Sequence, residues 1–242
     1  MAFGTFTLQR DLGFVVREGS IFFVMGDSGC GKSTLLRHML GLIEPAAGAL
    51  LWRGRRIDPE DEPGMRAYLR RIGVLYQQGA LFSSMTLSEN VETVLERHTG
   101  LGARERREVA ALKLALVGLA GFEDYLPSEI SGGMRKRAGL ARAIALDPEL
   151  LFFDEPSAGL DPLSARRLDE LILALRDALG ATVVIVSHEL DSIFAIGDDG
   201  VFLDADSRTM LASGPPAAMR DGASSEKVRR FLRRGEPAAA GG

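Results

Sequence analysis

Four short runs rich in apolar, β-branched and aromatic residues punctuate the chain, at positions 21–25, 74–76, 150–153 and 182–186. Continuous apolar runs of this length predict strands buried on both faces. Each run gives way at once to small or polar residues: Gly26-Asp27-Ser28, Gln77-Gln78, Asp154-Glu155 and Ser187-His188. In an open parallel sheet, ligands bind in the crevice outside the carboxyl ends of the strands. Four polar strand ends on one edge therefore predict a site there, although polar residues also end strands for purely structural reasons. Helical patterning follows the first strand over 32–42 and the third over 163–179. The stretch 86–146 contains no convincing strand and reads as mostly helical. Thr86-Leu87-Ser88-Glu89 opens it with capping residues, and 103–117 carries apolar positions at helical spacing above a basic solvent face. It predicts a helical insertion between two strands of one core. Around 49–57, Leu50, Leu51 and Trp52 before Gly54 predict a strand and turn in a small antiparallel section. The pattern as a whole is that of an α/β domain spanning 1–223. Residues 224–242 form a tail, a basic helix followed by a Pro/Ala/Gly-rich end at 235–242 whose composition predicts disorder.

Composition narrows the setting. At 242 residues the chain is long enough to bury a large core. Its 29 Lys and Arg against 33 Asp and Glu give a net charge of −4, with no general pull toward nucleic acid or anionic lipid. No uncharged apolar run approaches the roughly 18 residues needed to span a bilayer. Residues 1–11 lack the basic start and apolar stretch of a secretory signal. Cys30 is the only cysteine, which excludes internal disulfides and fits a reducing compartment. The expectation is a cytoplasmic protein.

Chemistry enters at Gly26-Asp27-Ser28-Gly29-Cys30-Gly31-Lys32-Ser33-Thr34, which satisfies G-x-x-x-x-G-K-[ST] between a strand and a helix. Glycines let the backbone wrap phosphate closely with its N–H groups turned inward, and the helix N-terminus adds partial positive charge. Lys32 is placed to reach the β- and γ-phosphates and the Ser33 hydroxyl to ligate Mg²⁺. The motif predicts a bound nucleoside triphosphate. The guanine-reading Asn-Lys-x-Asp segment is absent, since the single asparagine, Asn90, is followed by Val91.

Two further segments refine this. Residues 150–156, Leu-Leu-Phe-Phe-Asp-Glu-Pro, end an apolar strand in Asp154, an acid able to hold Mg²⁺. Glu155 then stands where it could polarise a water for in-line attack. A strand end followed by a turn is the plainer reading of the same residues. Ser131-Gly132-Gly133-Met134 precedes a helix-like run to Leu146. Ser131 caps that helix, and its glycines expose N–H groups at the positive end. A triphosphate already cradled by 26–34 hardly needs this second anion-binding terminus, so the economical reading points it at the nucleotide of another subunit. Arg135, Lys136, Arg137 and Arg142 read as an ordinary solvated helix face.

With these motifs in this order the sequence resembles the ATP-binding-cassette (ABC) ATPases, from Phe3 to about Gly214. The fold so implied is a P-loop NTPase cassette with a RecA-like core, a small antiparallel β section and a helical subdomain at about 86–146. The resemblance makes Gln77 the Q-loop glutamine, touching Mg²⁺ and sensing the transport partner. It makes Ser157-Ala158-Gly159-Leu160-Asp161 the D-loop and His188 the switch residue on the γ-phosphate, and it places Phe3 against adenine. It further implies two chains packed head to tail, with ATP and Mg²⁺ between the phosphate loop of one and the signature turn, Ser131–Met134, of the other.

Met134 stands where the family's commonest pattern has Gln. Together with residues 37–42 and 77–83, and a tail at 227–232, this is similar to the ATPases associated with Mla/MCE lipid transport between bacterial membranes. The implied partners are integral membrane permease subunits, a small accessory protein and an MCE-type lipid-binding subunit, and no nucleic acid. The implied location is the inner face of the cytoplasmic membrane. Ala80, Leu81, Phe82 and Met85 are candidates for a groove receiving a permease helix. Val228, Phe231 and Leu232 share one helical face that could dock on a neighbour. An amino-acid importer, an efflux system, a soluble cassette protein or a regulator without turnover are the rival readings.

Overall fold

The computed structural model describes residues 1–3, 6–77 and 79–234. The Pro/Ala/Gly-rich end expected to be disordered, 235–242, lies outside the described residues, as do Gln78 and the side chain of Phe3.

In chain order the elements are β1 (Ala2–Phe3), β2 (Phe6–Thr7), β3 (Ile21–Gly26), α1 (Lys32–Met39), β4 (Leu51–Trp52), β5 (Arg55–Arg56), α2 (Glu62–Leu69) and β6 (Ile72–Leu75). After them come α3 (Leu87–His98), α4 (Ala103–Leu116), a single 3-10 turn at Pro127–Glu129, α5 (Gly132–Ala143), β7 (Leu150–Asp154) and α6 (Pro162–Leu179). The chain continues through β8 (Thr182–Val186), α7 (Leu190–Ile196), β9 (Asp199–Asp204), β10 (Thr209–Ser213), α8 (Pro216–Gly222) and α9 (Glu226–Leu232).

One six-stranded sheet in the order β10-β9-β3-β8-β7-β6 organises the molecule. Its five strands from β9 to β6 pair parallel, and only β10 runs antiparallel, on the edge. Alternate side chains of the central strands feed two cores, as period-2 geometry requires. Ile21, Phe23, Met25, Leu151, Phe153, Val183 and Ile185 face one side, where they meet the helices after β6. Phe22, Val24, Phe152, Val184 and Val186 face the other, against Leu35, Leu36 and Met39 of α1. The apolar runs are continuous because both faces are covered.

Parallel pairing brings the carboxyl ends of β3, β6, β7 and β8 to one edge, and their polar followers with them. The registers align Val24 with Val186 and Asp154 with Val186, so Gly26, Glu155 and Ser187 emerge together.

The stretch between β6 and β7 contains helices and no strand among the described residues. It begins at Thr86 with a capping box: Glu89 N–H donates to Thr86 Oγ1, and the Glu89 carboxylate accepts from Thr86 N–H. β6 and β7 are neighbours in the sheet, so this is an excursion from one core. The antiparallel section near 49–57 is the hairpin β4-β5.

Three findings depart from expectation. Helix α2 forms despite Pro63 and Gly64, because Pro is tolerated in a first turn and Asp61 Oδ1 accepts from Gly64 N–H at 3.0 Å. Of the basic residues after the Ser131 turn only Arg135 is exposed as a solvated face would be: Lys136 is 7 % exposed, and the half-buried Arg137 and Arg142 donate to backbone carbonyls. Finally, Val228, Phe231 and Leu232 of α9 are buried in the chain's own core, with Phe231 edge-on to Phe202 at 5.0 Å. That apolar face is taken up within the molecule. Among the described residues no helix is long and apolar enough to cross a membrane.

Candidate functional site

The loop after β3 is shaped by two glycines. Gly26 has φ +142°, and a Cβ there would stand 2.3 Å from the Leu203 carbonyl oxygen. Gly31, the residue before α1, has φ +99°. No L side chain fits the first position, and the second needs a conformation that L residues rarely adopt. Cys30 is fully buried, and burial pushes its thiol up, so this residue offers the site only its backbone. The Lys32 ammonium donates to the Gly26 and Asp27 carbonyls at 2.8 and 3.1 Å, lying across the mouth of the loop. Ser28, Gly29 and Thr34 complete the loop and the first turn of α1.

Below the loop, Gln9 is buried and its amide donates to the Cys30 and Asp204 carbonyls, each at 2.8 Å. Beside it, Asp27 is flanked by Lys227 Nζ at 3.4 Å and an Arg234 guanidinium nitrogen at 3.7 Å, both from the tail. Lys227 also pairs with Asp204 and Asp206. Sequence reading missed this link between α9 and the loop, and only tertiary contact could show it.

At the end of β7, Asp154 Oδ1 accepts from the Ser33 hydroxyl at 3.2 Å, joining two residues 121 positions apart. Burial pushes the Asp154 carboxyl up, against the pull of the Ser33 hydrogen bond. The next residue, Glu155, has φ +48° and its N–H donates to Val186 O at 2.9 Å. A non-glycine residue in this region of backbone space is the kind of strain that functional sites hold. The His188 Nδ1 stands 2.8 Å from Glu155 Oε1, and Ser187 Oγ donates to Glu155 Oε2 at 3.4 Å. Phosphate loop, Ser33, Asp154, Glu155 and His188 thus converge on one edge.

Gln77 is exposed in the turn after β6, at the same edge of the sheet. Ser131, Gly132, Gly133 and Met134 form the first turn of α5, and Ser131 Oγ accepts from Met134 N–H at 3.2 Å. Met134 packs partly into the core. Asp161 caps α6, accepting from Leu163 and Ser164 N–H at 3.1 and 3.0 Å, and the Ser164 hydrogen bonds hold its carboxyl below the usual range. Its Oδ1 is taken up in the chain's own helix cap.

The donors suit a triphosphate with Mg²⁺. Ser33 Oγ and Asp154 Oδ1 are hard oxygen donors side by side. Among the described residues no cluster of three or more His, Cys, Asp or Glu forms a metal cage. Mg²⁺ is commonly held in this way, by one or two protein oxygens plus phosphates and water.

The sequence profile of the ABC transporter family matches residues 9–158, more than half of the chain. The chain belongs to the ABC transporter family. It is an ABC-type ATPase and binds ATP. Its α/β architecture, with a P-loop core and helical subdomain, is the family's. The chain is 40 % identical over 222 residues to the intermembrane phospholipid transport system ATP-binding protein MlaF of Escherichia coli (strain K12), covering 92 % of this chain and 81 % of that protein. It is 39 % identical over 198 residues to the probable ribonucleotide transport ATP-binding protein mkl of Mycobacterium tuberculosis (strain H37Rv), covering 82 % of this chain but 55 % of that one. A solved dimer of the ATP-binding cassette MJ0796, in a post-hydrolysis state with ADP and Pi, superposes with a TM-score of 0.76. It is 27 % identical and covers 85 % of this chain and 89 % of that chain.

Proposed function

We propose that this ABC ATPase works as a pair of identical chains that energises phospholipid transport through a separate integral membrane permease. The observation that carries the reading is the Ser131 turn at the head of α5. It presents helix N–H groups for an anion while the chain's own phosphate loop is already a complete cradle, so a second copy is its natural customer. In this reading ATP lies between residues 26–34 of one chain and residues 131–134 of its partner.

Within each site Lys32 leaves its carbonyls to bind the β- and γ-phosphates. Ser33 and Asp154 hold Mg²⁺, with Gln77 contributing from its loop; the ion supplies charge neutralisation on the phosphates. Glu155 accepts the proton of the attacking water, and His188, already hydrogen-bonded to Glu155, holds the attack geometry. Asp161 acts at the face between the two chains. ATP binding closes the pair and hydrolysis reopens it.

The lipid assignment is supported by the MlaF likeness over nearly the whole chain. In this reading the protein sits on the cytoplasmic face of the inner membrane, with a small accessory protein and an MCE-type lipid-binding subunit as further partners. The mkl likeness favours a second reading, transport of a nucleotide-like solute by the same engine. Purification of the tagged full chain from membranes, with mass spectrometry of bound proteins and lipids, separates them. A permease carrying phospholipid supports the first, and a permease with no lipid but nucleotide-stimulated turnover replaces it with the second.

A further inference from the structure

Lys136 lies five residues after Ser131 on α5, where an amphipathic surface helix would place a solvated cation. It is instead 7 % exposed. Its ammonium donates to Pro156 O at 2.6 Å and to Ala158 O at 2.5 Å. Both carbonyls belong to the loop that leaves β7 directly after Glu155. That loop is a tight structure of its own, with Ala158 N–H donating to Glu155 O and Leu160 N–H to Ser157 O. Leu160 also meets the signature turn, since a Cβ on Gly133 would stand 3.8 Å from its Cδ2. Burial pushes the Lys136 ammonium down, and the nearby Glu155 charge pushes it back up.

Burying an ammonium is costly, and an apolar chain of similar volume could fill the space without that cost. What the ammonium adds is a polar joint of fixed length. Through it, displacement of the first turns of α5 shifts the Pro156 carbonyl, one peptide from Glu155. We infer that Lys136 is a positioning residue that couples the Ser131 turn to Glu155 of the same chain, and so links the two ATP sites of the pair. The inference rests on the shared-site reading above. There the Ser131 turn touches the nucleotide held by the partner, whereas Glu155 serves the nucleotide on its own phosphate loop. Closure on one nucleotide is thus felt at the carboxylate acting on the other.

The test compares Lys136→Met, which keeps the volume and loses the donors, with Lys136→Arg, which keeps donors. Each is measured in the full chain for thermal midpoint, ATP affinity by calorimetry, and steady-state phosphate release against ATP concentration. Lys136→Met is expected to bind ATP within about twofold of wild type, to lose at least about tenfold in kcat, and to show a Hill coefficient near 1. Lys136→Arg is expected to recover most of both kcat and cooperativity. A Lys136→Met protein with wild-type kcat and Hill coefficient overturns the inference. So does a loss that Lys136→Arg fails to restore while ATP affinity and thermal midpoint stay normal. Should Lys136→Met not fold, Lys136→Leu, which also lacks any donor, replaces it with the same expectations. If the wild type itself is non-cooperative and stays monomeric with ATP, the shared-site reading fails first and this inference with it. A cooperative wild type with an equally cooperative Lys136→Met removes this inference alone.

Discussion

His188 Nδ1 and Glu155 Oε1 stand 2.8 Å apart, although 33 residues separate them in the chain. The pairing arises because β7 and β8 are parallel neighbours in register, so the residues just beyond their carboxyl ends project over the same edge. One oxygen of the carboxylate is thereby oriented by an imidazole, and the other is reached by the Ser187 hydroxyl. In the proposed mechanism Glu155 is the general base, and a base held on both oxygens is positioned before substrate arrives.

Glu155→Gln should therefore keep ATP binding and lower the phosphate-release rate at least about a hundredfold. His188→Ala, which leaves the carboxylate but frees its orientation, should lower it less. Near-normal release from Glu155→Gln in a stopped assay would remove Glu155 from the base role.

Lys32→Ala removes the ammonium that bonds the loop's own carbonyls and is proposed to take up the phosphates. High-affinity ATP binding should disappear in calorimetry, with the thermal midpoint little changed. Unchanged affinity contradicts the phosphate cradle.

Gly26→Ala places a methyl 2.3 Å from Leu203 O at φ +142°, where the contact is backbone and cannot yield. Stability should fall by about 3 kcal/mol, with ATP affinity lost alongside. Denaturant melts of an apo sample that matched wild type would show that the loop has another way to sit.

Asp204 links stability to pH. Burial would push its carboxyl up, but the Lys227 ammonium and the Ser207 hydroxyl and N–H overcome that and hold it down to about 2. A carboxylate depressed in the folded state contributes stability that is full well above its unfolded value and is lost as pH falls through the folded one. Against Asp204→Asn, wild type should lead at pH 7, and the lead should shrink by about 1 kcal/mol on descending to pH 3 and about 2 kcal/mol on reaching pH 2. Urea titrations at three pH values check this; a lead independent of pH points to packing alone.

The parts of this molecule legible from sequence are those whose physics is local. The 182–186 run is a strand end to end, and the Thr86 capping box and the Gly-rich loop stand where their residue types require. β9 and β10 escaped notice because Gly200 interrupts the first run and a bulge between Met210 and Ala212 breaks the alternation of the second. α2 hid behind Pro63 and Gly64, which usually mark loops. Lys136 and Lys227 were unreadable for another reason. A lysine's partners lie far off in the chain, Pro156 and Ala158 for one, Asp27 and Asp204 for the other, and a basic residue on a helix carries no local mark of burial.

The central claim is that each ATP site is built by two chains, and light scattering of Glu155→Gln protein with ATP and Mg²⁺ tests it most directly. The expected mass is that of two chains with ATP and of one without. Adding Ser131→Arg to Glu155→Gln should return the mass to a single chain while calorimetry still shows ATP bound. A doubly substituted protein that still pairs on ATP, or a wild-type protein that hydrolyses at full rate while its mass stays that of one chain, contradicts it.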